Sequence, residues 1–289
     1  MTLIAYSDPV SGTDTTAPVS PGASSKYGTL PWRGLVIGAG AGFLSGLFGI
    51  GGGIVIVPAL LALMSMERKM AHGTSLAATL PMAAASLVTY AIGGNVDWPV
   101  AACLAAGAIF GAVVGTQLLQ IIPKKPLTII FIVVILVTAI RLVVASDTMG
   151  RDDLTLVGAI SLVVIGFITG TLSGLLGIGG GVVMVPAMVV LFMMVPVVAK
   201  GTSVAVIVPS ALVGTVRNRK NRNVDLRIAG AIGVAGIGSA VIGSLISGSI
   251  DDSVSNALFA ILLVTVAFLQ ARTLRPPGPP SELPVPLTD

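Results

Sequence analysis

Gly42-Phe-Leu-Ser-Gly-Leu-Phe-Gly-Ile-Gly-Gly-Gly-Ile-Val-Ile-Val-Pro-Ala59 decides the fold, because it returns 128 residues later as Gly170-Thr-Leu-Ser-Gly-Leu-Leu-Gly-Ile-Gly-Gly-Gly-Val-Val-Met-Val-Pro-Ala187. The register continues without a gap: His72-Gly-Thr-Ser75 answers to Lys200-Gly-Thr-Ser203, Pro81 to Pro209, and Asn95-Val-Asp97 to Asn223-Val-Asp225. Both copies are apolar, so the chain reads as a duplication inside a membrane. Duplicated membrane halves with Gly-broken hydrophobic segments at matching places are the sequence pointer to a transport site.

Composition excludes a soluble protein. Of the 289 residues 54% are hydrophobic and only 10% charged, against roughly 25% charged in a soluble domain, and the mean hydropathy is +1.01. The net charge of +4 lies in short loops, where it reports membrane orientation rather than nucleic-acid binding. The single cysteine, Cys103, sits in an apolar run and reads as packing. The polar stretch at the start lacks the apolar core of a cleavable signal. It reads as a disordered tail over 1–33, with a second, Pro-rich tail over 273–289.

Eight hydrophobic segments lie at 34–64, 71–92, 98–121, 126–146, 154–195, 199–216, 226–248 and 254–272, four in each repeat, 34–146 and 147–272. The expected fold class is all-α and polytopic. The first segment of each half is too long for one crossing: a continuous helix from Gly34 to Met64 would reach about 46 Å, against a hydrocarbon core of about 30 Å. Its central Gly49-Ile-Gly-Gly-Gly53 breaks it into pieces over 34–48 and 54–65. Irregular backbone at membrane depth survives only when buried in protein or lining a wet cavity. The glycines recurring every four residues from Gly34 to Gly46, and from Gly158 to Gly174 with Leu162 interrupting, predict close helix–helix approach.

Loop charge bears on how the halves are related. The turn after the broken segment has Arg68 and Lys69 in the first half but Val195-Pro-Val197 in the second; the next loop, Gly93–Asp97, has no basic residue while its counterpart holds Arg217, Arg219, Lys220, Arg222 and Arg227; the third has Lys124 and Lys125 against Asp251 and Asp252. Opposed biases are what inverted repeats produce. Inversion requires each broken segment to enter and leave on one side as a hairpin, and it places 13 of the 16 Lys and Arg residues on the inner side. Eight plain crossings separate the charges less well.

Chemistry centres on Gly49, Gly51, Gly52 and Gly53 and their counterparts Gly177, Gly179, Gly180 and Gly181. Glycine admits positive φ and close approach of backbone to a ligand. The helices that follow, near Ile54 and Val182, offer free N–H groups and a positive dipole end at mid-membrane, an anion site without a charged side chain. Pro58 and Pro186 suit a helix start a few residues later. Thr74 and Ser75, with Thr202 and Ser203, read as hydroxyls at helix starts that cap N–H groups and donate to a bound oxyanion. His72 and Lys200 are accessory candidates at segment ends, where exposure or snorkelling is ordinary. Asp97 and Asp225 fall at turns with Asn95 and Asn223. No Asp or Glu lies well inside a span, which disfavours a cation pump. One histidine cannot serve two repeated Ser-Gly sites, and there is no Walker sequence; neither catalytic residues, metal ligands nor a cofactor is expected.

The chain resembles the TauE/SafE sulfite exporter family, also called the toluene sulfonate uptake permeases. The resemblance rests on the paired Gly-x-Leu-Ser-Gly-x-x-Gly-Ile-Gly-Gly-Gly strings, Gly73-Thr-Ser-Leu76 and Asn95-Val-Asp-Trp98, and spans about 34–272. It implies a multi-pass permease of a bacterial or archaeal inner membrane, moving sulfite or organosulfonates, with the bilayer and a small sulfur-containing anion as partners. Nucleic acid is no partner, and a homo-oligomer is compatible with the sequence. The second half departs from the first at Leu226, where the first has Trp98, and at Val204, where it has Leu76. Two other readings are a passive anion channel of the same fold and a scaffold that recruits a partner through the basic 217–227 loop.

Overall fold

The computed structural model describes residues 31–121 and 155–272, with positions 129, 132, 133, 136, 139 and 140 between them. The tails beyond 31 and 272, Arg141 and most of the expected segment 126–146 lie outside the described residues. Within them the chain is all-α. In chain order the helices are α1 (Pro31–Phe48), α2 (Gly53–Leu63), α3 (Arg68–Ile92), α4 (Trp98–Ile121), α5 (Leu156–Leu176), α6 (Gly181–Leu191), α7 (Pro196–Lys220), α8 (Leu226–Ser247) and α9 (Asp252–Arg272). Five of them, α3, α4, α5, α7 and α8, are long and apolar enough to cross a membrane. Helix α1 begins at Pro31, inside the stretch read as tail; proline suits that place because a first-turn N–H has no partner to lose.

The broken first segment is a hairpin. Arg33 Nη1 donates to the Leu63 carbonyl at 3.3 Å, whereas a straight helix would hold these residues about 45 Å apart. After Phe48 the string turns back along α1, so that a Cβ on Gly52 would lie 2.8 Å from the Ala41 carbonyl. Helix α2 therefore starts roughly halfway along α1 and returns to the face where α1 began. The second half repeats this, with Gly180 beside the Thr169 carbonyl. The reversal uses backbone that L side chains seldom adopt: Gly49, Gly51 and Gly52 have φ of 66°, 80° and 73°, and Gly177, Gly179 and Gly180 have 65°, 89° and 76°.

Small residues set which helices meet. Gly38, Gly42 and Gly46 of α1 rest on the backbone of α8 at Ile232, Gly236 and Ala240, so α1 and α8 run in the same direction. Gly107, Gly111 and Gly115 of α4 rest on α5 at Val163, Phe167 and Thr171, again in parallel. From the other side Gly166 and Gly170 meet Leu104 and Ala108. The first helix of each half thus packs on the fourth helix of the other, as the glycine periodicity predicts. Lipid tails give helices no hydrophobic reason to associate, so backbone approach of this kind supplies the dispersion contact instead.

Substitution at these contacts separates packing from propensity. Gly107→Ala would drive a Cβ into the Val163 carbonyl and to 2.7 Å from the Phe167 nitrogen, and should lower stability by about 2 kcal/mol or more. Gly40→Ala, with nothing within 4 Å, should be neutral or gain up to about 1 kcal/mol. Thermal unfolding of the purified variants in detergent compares them.

Candidate functional site: the crossing of the glycine strings

The two strings meet each other. A Cβ on Gly53 would lie 2.5 Å from the Gly177 carbonyl, while one on Gly181 would strike the Gly49 carbonyl. Gly179 lies against Ile50 and Gly51. The helices begin at Gly53 and Gly181, one residue earlier than expected, each after a left-handed glycine with no side-chain cap. Among the described residues, the N–H groups of Gly51, Gly52 and Gly53, and of Gly179, Gly180 and Gly181, have no hydrogen-bond acceptor. The starts of α2 and α6, the positive ends of their dipoles, are brought near each other at this point. Pro58 and Pro186 do not mark the helix starts; both lie inside their helices, where a missing N–H releases the carbonyl four residues earlier.

The hydroxyl motifs are likewise not helix starts. Helix α3 begins at Arg68 and α7 at Pro196, so Thr74, Ser75, Thr202 and Ser203 sit in the second turn, where the N–H groups of their own helix are already paired. Their hydroxyls reach across to the other half. Ser75 Oγ donates to the Gly177 carbonyl at 2.9 Å, and Ser203 Oγ to the Gly49 carbonyl at 3.0 Å. Thr74 Oγ1 accepts from the Asp225 N–H at 3.0 Å, and Thr202 Oγ1 from the Asp97 N–H at 2.9 Å. All four side chains are fully buried. Gly73 and Gly201 permit the approach, pressing against the Asn223 and Asn95 carbonyls. Each contact in one half has its partner 128 residues away in the other.

The accessory candidates frame this crossing. Asp225 Oδ1 accepts from the Arg227 and Ile228 N–H groups, and Asp97 Oδ1 from Val100 N–H, so both carboxylates cap the following helix. His72 Nδ1 stands 2.5 Å from the Leu176 carbonyl. Lys200 neither snorkels nor reaches the surface: it is 2% exposed, the one buried charged side chain among the described residues. Its Nζ donates to Ser247 Oγ at 3.1 Å and to Ser255 Oγ. Its backbone lies under Gly49, as that of His72 lies under Gly177. The segment end that suggested exposure is covered here by the ends of α8 and α9. Tyr90 adds a further tie, its hydroxyl donating to the Gly46 carbonyl at 2.6 Å.

Three fully buried hydroxyls stand apart, one (Ser45) inside the quoted string and two outside every motif. Ser45, Thr79 and Ser86 are fully buried and their oxygens have no partner, which costs about 1–3 kcal/mol each. Thr79 and Ser86, seven residues apart, share a face of α3. The signal was present in the repeat: position by position, Thr79 answers to Ile207 and Ser86 to Gly214, polar against apolar. Space around the crossing is small. A cavity of about 10 Å³ beside Gly180 and Val182 is no larger than one water. A wider recess of about 340 Å³ opens between Gln117, Arg217, Lys220 and Asn221.

The reciprocal serines should hold the strings in place. Ser75→Ala and Ser203→Ala should each lose about 1–3 kcal/mol, since a buried carbonyl then lacks its donor. The double variant should depart from the sum by about 0.5 kcal/mol or more, because the two strings press on each other. Thermal unfolding of the singles and the double tests this.

Comparison with known proteins agrees with this architecture. The chain is 28% identical over 215 residues to the probable membrane transporter protein YunE of Bacillus subtilis, covering 66% of this chain and 79% of that one. It is 28% identical over 241 residues to a probable membrane transporter protein of Xylella fastidiosa, covering 81% and 92%. A probable membrane transporter protein of Methanocaldococcus jannaschii is 29% identical over 161 residues, covering 53% and 59%. No solved structure matches the chain. The family described as Sulfite exporter TauE/SafE matches residues 5–142 and 162–288, and with helices of membrane-spanning length and a duplicated, Gly-broken core, the chain belongs to this family of membrane transporters.

Proposed function

We propose that the protein is a secondary permease for small sulfur-containing anions such as sulfite or organosulfonates, with the glycine crossing as its central site. One observation carries this reading. Two helix N-termini and the glycine-string N–H groups before them, which have no acceptor among the described residues, lie at a crossing where no described carboxylate is buried. Two positive dipole ends brought together repel unless negative charge lies between them, so the crossing is electrostatically incomplete without an anion. Membership of the sulfite exporter TauE/SafE family supports sulfur chemistry at that anion. Ser75 and Ser203 take part by fixing the strings, and Thr74 and Thr202 by fixing the Asp225 and Asp97 turns; their O–H groups become available to the anion when the halves separate.

The halves are inverted repeats in this reading. Helix α1 starts at the face to which α2 returns, α3 leaves that face, and α4 comes back after a five-residue turn over 93–97. Helix α5 runs parallel to α4, and so opposes α1, its counterpart. The basic ends at Arg33, Arg68, Lys69 and Arg217–Arg222 then share one face, which the positive-inside bias makes cytoplasmic. The recess at Arg217 and Lys220 lies on that face as a vestibule attracting anions. Access alternates as one half rocks against the other about the crossing.

Purified protein in proteoliposomes should carry sulfite with saturable kinetics and counterflow, competed by thiosulfate and sulfoacetate better than by acetate. Gly51→Ala, strained by a φ of 80° and with a Cβ 2.8 Å from Thr79, should reduce that flux about 5- to 150-fold, as about 1–3 kcal/mol of strain at a functional backbone implies. Non-saturating flux without counterflow would identify a channel, and a folded preparation that moves none of these anions would refute the assignment.

A further inference from the structure

Helices α4 and α7 pack on each other, and their last turns flank a recess of about 340 Å³ lined by Gln117, Arg217, Lys220 and Asn221. That volume is in the range of small-molecule sites. The lining brings two cations together with two amides. Among the described residues neither Arg217 nor Lys220 has an ion pair or a side-chain hydrogen bond, and no described carboxylate lines the recess. Beside it both helices present carbon. Leu212 and Val216 precede Lys220 by two turns and one, and Phe110 and Ile121 share the face of α4 that carries Gln117. All four are exposed, which in a bilayer means that they face lipid.

The repeat shows that the fold does not require this chemistry. The positions matching Gln117, Arg217, Lys220 and Asn221 in the other halves are Leu245, Thr89, Ile92 and Gly93, and none carries charge. Orientation in the membrane accounts for basic residues in the loop, such as Arg219 and Arg222. It does not require two of them to meet two amides at a recess with a lipid-facing flank.

We propose that this recess binds the headgroup of an anionic phospholipid, with the phosphate between Arg217 and Lys220 and the acyl chains along the exposed Val216 and Leu212. Basic pockets between membrane helices suit such headgroups, and phosphate takes charge-assisted bonds from both kinds of cation. Gln117 and Asn221 supply amide donors for the remaining headgroup oxygens. Helix α4 belongs to the first half and α7 to the second, so the lipid joins the halves. This inference needs a chain embedded in a bilayer and does not rest on the anion-permease reading. Free anions drawn to the recess meet the same charges, and the test separates the two occupants.

The test uses the full chain, purified in detergent and stripped of lipid, with phosphatidylglycerol, phosphatidylcholine and inorganic phosphate as probes. Native mass spectrometry should show saturable retention of phosphatidylglycerol and not of phosphatidylcholine, and phosphatidylglycerol alone should raise the unfolding temperature. Arg217→Gln and Lys220→Gln should each weaken that binding about fivefold, the effect of one basic residue at a lipid surface. Gln117→Leu, which leaves the charge unchanged, should weaken it about two- to tenfold through a lost neutral hydrogen bond. Arg219→Gln/Arg222→Gln removes charge from the same segment outside the lining and should leave the affinity unchanged. Equal weakening in that control would reduce the site to diffuse surface charge and overturn the proposal. Equal retention of both lipids would overturn it as well. An equal thermal shift from inorganic phosphate would assign the recess to free anions and overturn the lipid occupant.

Discussion

Everything in this structure depends on backbone that leaves the helix where there is no water to receive it. A peptide group in hydrocarbon must find its partner within the protein, and each half abandons helical bonding at its glycine string. Nearly every specific contact described above follows from that break. Ser75 and Ser203 satisfy the carbonyls of Gly177 and Gly49 across the molecule, and each string lies in the space that the other's missing Cβ atoms leave. The carbonyls of Gly52 and Gly180 are taken up differently, by N–H groups of the helices that follow them.

The remainder of the fold positions this junction. The Gly-to-backbone contacts of α1 with α8 and of α4 with α5 carry no chemistry, but they are what binds one half to the other. Each first helix packs on the opposite half's fourth helix, so these contacts run between the halves rather than within them. The hairpin geometry then places the starts of α2 and α6 about halfway down α1 and α5, so the free N–H groups gather at one depth rather than two.

Much of this was legible in the sequence, for a physical reason. Glycine spacing reports backbone approach directly, and the 128-residue repeat made each break corroborate the other, so the hairpins and the small-residue contacts could be read off. Helix starts within continuous apolar runs were harder. Gly73-Thr-Ser75 has the composition of a cap, but its helix had already begun at Arg68; the hydroxyls serve another element, and local sequence does not encode which one. Lys200 misled for a related reason: a segment end is exposed only if nothing folds over it, and Ser247 and Ser255 lie far along the chain. Thr79 and Ser86 belong to no motif. They emerge only when the two halves are compared for difference instead of likeness.

Those differences give the duplication its direction. At one end of the molecule Lys200 is bound by Ser247 and Ser255, and Tyr90 is tied to Gly46. The positions matching Tyr90, Ser247 and Ser255 in the other half are Asn218, Leu119 and Leu127, and Asn218 Oδ1 is buried without a partner. Two ends related by a perfect exchange would close with equal free energy. Here Lys200 is held by two serine hydroxyls, whereas His72, at the matching position, stands against the Leu176 carbonyl. Asn218 has its amide nitrogen bonded to the Gly214 carbonyl and its oxygen buried without a partner. The two ends are therefore closed by different chemistry, and the repeats have diverged there while staying alike at the glycine crossing.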